Sequence, residues 1–203
     1  MNSTAAPLYS ASDTSVVFQI PWEASITTPS AVRVQDSLSS RFEAGLEITV
    51  AAISPSFLSF GTTSDEVPLA LHQDWRSLVT PERPAVPGEV LHLYLTGMGP
   101  VTGTVQTGLP ALANGPLEKV LTPYTCEFLF ASTPSDWTLR TCRSVRGTRA
   151  GFCRLYHADV RVPPFPAGVR LETAELMCSP LFSVPAASLA FGHLPVASQP
   201  VEH

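Results

Sequence analysis

Short β-prone runs stopped by proline recur at a nearly constant distance along this chain: Val17-Phe18-Gln19-Ile20-Pro21-Trp22 is answered by Ala158-Asp159-Val160-Arg161-Val162-Pro163. A second strand candidate follows each, Ala31-Val32-Arg33-Val34 in the first case and Val169-Arg170-Leu171-Glu172-Thr173 in the second, so the offset stays at about 140 residues. This echo implies two related all-β units. Nothing before residue 7 answers the long stretch from Pro87 to Arg149, so the first unit is expected to be incomplete and to leave strand edges without partners. The twenty prolines and twelve glycines cut the rest into short segments, and no window keeps apolar positions at helical spacing. Long helices are therefore not expected.

Strands are expected over residues 14–20, 31–35 and 45–53, where Leu46-Glu47-Ile48-Thr49-Val50 alternates, and then from Glu89 to Leu95. After the last of these, Thr96-Gly97-Met98-Gly99-Pro100 permits a tight bend with positive φ. Further candidates lie at 123–130, 137–142, 151–162, 169–177 and 181–191, a spacing that fits an immunoglobulin-like sandwich. The expected organisation is a partial β unit over 1–53, a proline-stiffened connection over 54–87, a complete sandwich over 88–196 and a disordered tail over 197–203.

A formal charge of −5, with Lys119 the sole lysine, argues against nucleic acid as a partner, because phosphate binding depends on clustered cations. A solvated loop accounts for the one basic cluster, Arg140, Arg143, Arg146, Arg149 and Arg154, with an anionic ligand as the alternative. No run approaches the ~20 apolar residues of a membrane span, so no membrane insertion is expected. The four cysteines all fall in the second half, and their even number favours two disulfides in an oxidising compartment. The preferred pairing is Cys142 with Cys153 and Cys126 with Cys178; buried free thiols and a zinc site are the alternatives, the latter lacking any two cysteines at knuckle spacing.

Enzymatic chemistry has no motif to rest on. His72, His92, His157, His193 and His203 lack zincin-like spacing, no Gly-x-Ser-x-Gly elbow is present, and no glycine-rich loop opens a helix. His92 and His157 fall inside strand candidates, where a wet face or a satisfied half-buried position explains them. No metal or cofactor is expected. Trp22, Trp75 and Trp137 are the tryptophans; packing is the plain reading of each, and stacking on a sugar ring is the functional one.

In order along the chain stand Pro7-Leu8-Tyr9-Ser10, Phe18-Gln19-Ile20-Pro21-Trp22-Glu23, Val50-Ala51-Ala52-Ile53-Ser54-Pro55-Ser56-Phe57, the block from Pro84-Ala85-Val86-Pro87-Gly88-Glu89-Val90 to Thr96-Gly97-Met98-Gly99-Pro100-Val101, and Gly151-Phe152-Cys153-Arg154-Leu155-Tyr156-His157. The series resembles the uncharacterised bacterial extracellular C-terminal domain family, secreted and cell-surface paralogues whose repeats are similar to immunoglobulin-like, TIG-type sandwiches. The likeness runs over nearly the whole chain, and the Pro-Gly-Glu-Val to Thr-Gly-Met-Gly-Pro block is its most specific part. The chain departs from the pattern in two ways: Met1 falls just before the segment that an earlier strand block usually precedes, and the four cysteines and the arginine cluster are additions. The resemblance implies an extracellular or cell-surface β protein and brings no catalytic residue.

Together these readings lead to a non-catalytic structural or interaction protein that assembles by strand complementation with a neighbouring subunit or a larger polypeptide, building a fibre or surface layer. Val16, Phe18, Ile20, Ile48 and Val50 are the expected assembly edge. The alternative is a carbohydrate- or surface-binding adhesion module, with Trp137, Trp75, Arg143, Arg146 and Arg149 as candidate ligand contacts.

Overall fold

Alternation of side chains decides the architecture, and all of it is β: no helix occurs among the described residues. The computed structural model describes residues 4–35, 45–61, 67–103, 105–109, 118–131, 137–142, 145–148, 155–165, 173–181 and 189–197. The chain divides into two units, Met1–Ala52 with Thr104–Leu109, and Ile53–Gly103 with Pro110–His203.

In the first unit, β1 (Leu8–Ala11) pairs antiparallel with β2 (Val16–Phe18), and β3 (Ser30–Val32) with β4 (Leu46–Ile48). The Ser12 hydroxyl accepts the Ser15 amide at 3.1 Å and so closes the β1–β2 turn. These strands are shorter than the sequence predicts. Val16 and Phe18 are paired with β1, Ile48 ends β4 opposite Ser30, and Ile20 and Val50 lie outside any strand. All five expected edge residues are half-buried. Segment 105–109 is tied to the chain after β2: the Gly108 amide donates to Gln19 Oε1, the Trp22 amide to Thr107 Oγ1, and the Thr107 hydroxyl to Glu23 Oε2. Gln19, 4% exposed, is the one fully buried residue of this unit among those described.

The second unit is built on β9 (Val90–Thr96). Residues 54–87, expected as a connection, are part of this unit instead. They supply β5 (Ser56–Phe57), β6 (Ser59–Phe60), β7 (Val67–Pro68) and β8 (Ala70–Leu71), of which β5 and β8 pair with β9 while β6 pairs with β7. Strands of two residues are too short to show an alternating pattern, which is why the sequence conceals them.

The remaining strands are β10 (Tyr124–Ala131), β11 (Trp137–Cys142), β12 (Val145–Thr148), β13 (Tyr156–Arg161), β14 (Thr173–Pro180) and β15 (Ala190–Pro195). They form a four-stranded antiparallel sheet in the order β11-β10-β14-β15 and a sheet in the order β12-β13-β9-β5, with β8 also on β9. The pairing of β13 with β9 sets Val160 opposite Leu91, Ala158 opposite Leu93 and Tyr156 opposite Leu95. These six residues are buried, and with Phe128, Ala174, Leu176 and Leu194 of the other sheet they make up much of the core.

Beyond β9 the chain turns through Gly97 (φ 69°) and Gly99 (φ 91°). The Ser54 amide donates to the Gly97 carbonyl at 2.9 Å, and a Cβ on Gly97 would stand 1.9 Å from the Ser54 oxygen, so only glycine fits there. Two tyrosines fix the bend, Tyr124 donating its hydroxyl to the Met98 carbonyl at 2.9 Å and Tyr156 to the Gly99 carbonyl. Burial, with Tyr156 nearby, pushes the Tyr124 hydroxyl up to about 12.

Cys126 and Cys178 face each other across β10 and β14 and form a disulfide, one of the two pairs expected. Cys142 stands opposite Cys126 on the other side of β10, a row of three cysteine positions that sequence spacing does not reveal. Cys153, and with it the Cys142–Cys153 pairing, lies outside the described residues.

Candidate functional site

The face of β9 and β13 turned away from the leucines carries the polar residues. A strand alternates, so His92 and Tyr94 share one side of β9, and His157 and Asp159 one side of β13. The register then sets Asp159 opposite His92 and His157 opposite Tyr94, gathering all four on one patch of sheet. Neither the wet face nor the half-buried position expected of these histidines is found: His92 is 5% exposed, His157 4%, and Tyr94 is also buried.

A strap formed by residues 72–77 supplies part of the cover. It leaves β8 through a bridge between Leu71 and Leu78, and the His72 amide closes its neck on the Ser77 carbonyl at 2.9 Å. Inside it, the Asp74 carboxylate accepts the Arg76 amide at 2.9 Å, the Ser77 amide at 3.1 Å and the Ser77 hydroxyl at 2.7 Å. Those bonds, the Arg76 amide foremost, hold the Asp74 carboxyl well below the usual carboxylate range, with a smaller contribution from the Arg83 guanidinium. The turn forces Trp75 to φ 61°, the left-handed region, which costs a bulky residue about 1–3 kcal/mol. In that conformation its indole stacks on the His92 ring, with centroids 3.5 Å apart and planes at 19°, and lies 4.9 Å from the His157 ring. Trp75 nonetheless remains 45% exposed.

Below the strap a second buried group anchors it. Glu89 Oε2 lies 2.8 Å from His72 Nδ1, while Glu89 Oε1 accepts the Val86 amide at 2.6 Å. The other His72 nitrogen lies 3.2 Å from the Arg83 carbonyl. Both ring nitrogens and both carboxylate oxygens therefore have partners. This arrangement is structural: it ties the strap to the start of β9 and to the proline-rich run at 81–87.

The upper cluster is less evenly satisfied. His92 Nδ1 lies 2.7 Å from Asp159 Oδ1, and His157 Nε2 lies 3.1 Å from that same oxygen. With Nδ1–H donated to the carboxylate, Nε2 of His92 keeps a lone pair, and this buried atom has no hydrogen-bond partner among the described residues. One nitrogen of each imidazole and a carboxylate oxygen lie within 4.8 Å of one another. Chemically the cluster can hold a proton between imidazole and carboxylate, or a cation in its place.

Of the candidate ligand contacts read from sequence, Trp75 stands at this site. Arg146 occupies the β12 position opposite His157, on the strand edge away from β9. Trp137 belongs to β11 of the other sheet, at the register position opposite Ala131. Arg143 and Arg149 lie outside the described residues. Sequence reading missed His92, His157 and Asp159 as a group; a strand with polar residues two apart, His157 and Asp159, facing another with His92 was the available signal.

The chain matches no family model, no curated protein and no solved structure. Among the described residues no helix is long and apolar enough to cross a membrane. The Cys126–Cys178 disulfide accords with an oxidising environment.

Proposed function

We propose that this is an extracellular interaction protein of immunoglobulin-like β units whose N-terminal unit is covered by a protein partner through strand addition. One observation carries the reading: no apolar side chain of that unit is fully buried among the described residues. Two-stranded sheets are marginal alone, because they cannot bury enough apolar surface to offset chain ordering. Leu8 and Leu46, 64% and 67% exposed, lie in strands that have a partner on one side among the described residues. Such edges accept a further strand. Repetition between copies is heterologous and builds a fibre or layer.

Sedimentation velocity of the full chain over a hundredfold concentration range tests the reading. Discrete growing assemblies that Val17→Lys and Leu46→Lys dissolve support it; a monomer at every concentration, with the N-terminal unit protected from hydrogen exchange, overturns it. The exposed indole of Trp75, held rigid against loss of ordering entropy, favours a second reading as a carbohydrate- or surface-binding module. Saturable quenching of its fluorescence by oligosaccharides distinguishes the two.

A further inference from the structure

We propose that His92, His157 and Asp159 form a binding site for a divalent transition-metal ion of the zinc class. The inference is independent of assembly. It rests on three observations about the covered face of the β9–β13 pair.

The donor set comes first. Two imidazoles and a carboxylate suit zinc, cobalt, nickel or copper, whereas magnesium and calcium require more oxygen ligands than this site offers. Placement is the second. All three residues project from directly paired strands, so the sheet fixes their spacing, and their donor atoms already lie within 4.8 Å of one another. Tetrahedral ligands at the usual zinc bond lengths stand about 3.4 Å apart. The short His92–Asp159 contact of 2.7 Å must widen to reach that spacing and the longest separation must close, movements of about 1 Å within side-chain reach.

Access is the third. A cation bound through Nδ1 of His92 and Nε2 of His157 replaces the proton now held between His92 and Asp159, and that proton is released to solvent. Three protein ligands leave a coordination position open, and the side chain of Asp159, 23% exposed, gives the site an approach from solvent.

Trp75 provides the readout. Its indole lies 3.5 Å from the His92 ring, so a paramagnetic ion bound to that imidazole must quench it. The test is titration of the tag-free full chain, stripped by chelator, with Co²⁺ at neutral pH, followed by visible absorption and tryptophan fluorescence. Saturation at one equivalent, visible bands of four- or five-coordinate cobalt without thiolate charge transfer, quenching lost in Trp75→Phe, and displacement by Zn²⁺ are expected. Asp159→Asn and His157→Gln should each weaken binding at least about 10-fold, the lower limit set by loss of even an outer-shell partner. His193→Ala should leave it unchanged.

No saturable binding below millimolar Co²⁺ overturns the proposal, as do affinities unchanged in Asp159→Asn and His157→Gln, or a thiolate band that assigns the ion to cysteine. Should those variants unfold, X-ray absorption of the zinc-loaded wild-type chain decides the matter. Two imidazoles and an oxygen donor in the shell support the site, and any shell without two imidazoles refutes it.

Discussion

Replacing Gly97 by alanine isolates the geometry on which the second unit turns. Two costs fall on this residue. At φ 69° an alanine sits in the left-handed region, worth about 1–2 kcal/mol. Its Cβ would also stand 1.9 Å from the Ser54 carbonyl oxygen and 2.6 Å from the carbon behind it, and both are backbone atoms that no rotamer change can move away. Relief requires the 54–55 segment or the bend to shift, which costs about 1–3 kcal/mol by analogy with overpacked cores. It also stretches the Ser54–Gly97 hydrogen bond, worth about 1 kcal/mol. The sum is about 3–6 kcal/mol, a large share of the 5–15 kcal/mol typical of a folded domain. Gly88 supplies the control: it has φ 90°, yet its Cβ would meet nothing within 4 Å, so Gly88→Ala bears the conformational cost alone. Urea denaturation followed by far-ultraviolet circular dichroism should give Gly97→Ala a midpoint well below that of Gly88→Ala at a similar slope. Equal losses in the two variants, within about 0.5 kcal/mol, would refute the contact with Ser54 as the reason for glycine at this corner.

Three further outcomes follow from the same structure. The Tyr124 hydroxyl ionises at about 12 when folded against 10.0 when unfolded, so the folded state keeps its proton longer; this stability is whole below pH 10, is lost between pH 10 and about 12, and amounts to about 1–2 kcal/mol after discounting for solvent screening. Tyr124→Phe should flatten that alkaline limb in denaturation curves taken from pH 9 to 12, and a limb that persists unchanged assigns it to another group. Reduction of Cys126–Cys178, which spans 52 residues, should cost about 4 kcal/mol on the chain-entropy account, read as a fall in urea midpoint with thiol reductant; no fall in a fully reduced sample contradicts it. Asp74→Ala should free the strap, moving Trp75 emission to the red and raising its quenching by acrylamide, while Asp74→Asn, which keeps an accepting oxygen, should change less. Because the Asp74 carboxyl is held below its usual range, its contribution is whole above that range and is lost progressively as the pH falls from it toward the lowered value; the strap should loosen over that acid interval, and an acid limb that persists unchanged in Asp74→Asn contradicts the hydrogen-bond geometry.

How much of this was legible follows from the range over which each feature is determined. Strand β9 announces itself, since Glu89-Val90-Leu91-His92-Leu93-Tyr94-Leu95 alternates over its length and ends in two glycines, and the structure departs from the expected 89–95 by one residue. The cysteine pair Cys126 and Cys178 was within reach of counting, though counting cannot place Cys142 in the same row. Residues 54–87 escape sequence reading because their prolines suggest a stiff connection. Proline removes a donor but does not exclude a chain from a sheet edge, and strands of two residues suffice to cover one side of β9.

The histidine cluster marks the limit of such reading more sharply. Period-two alternation shows that His92 and Tyr94 share a face opposite the leucines, but it fixes only which side a residue takes, not what covers that side. Cover comes in part from Trp75, seventeen residues before His92, and only because the Asp74 turn drives it into a backbone region that tryptophan seldom adopts. The acidic partner comes from 67 residues after His92, through a register that a slip of one residue would abolish by turning Asp159 to the opposite face. A site that needs a strained turn and an exact register at once is costly to keep for packing alone, since Leu or Val at 92 and 157 would fill the same sheet face without an unpaired nitrogen. That argument makes His92→Leu with His157→Val a discriminating double substitution: if the cluster serves the fold, the urea midpoint should fall, whereas a site kept for a ligand should hold or raise the midpoint and lose Co²⁺ binding.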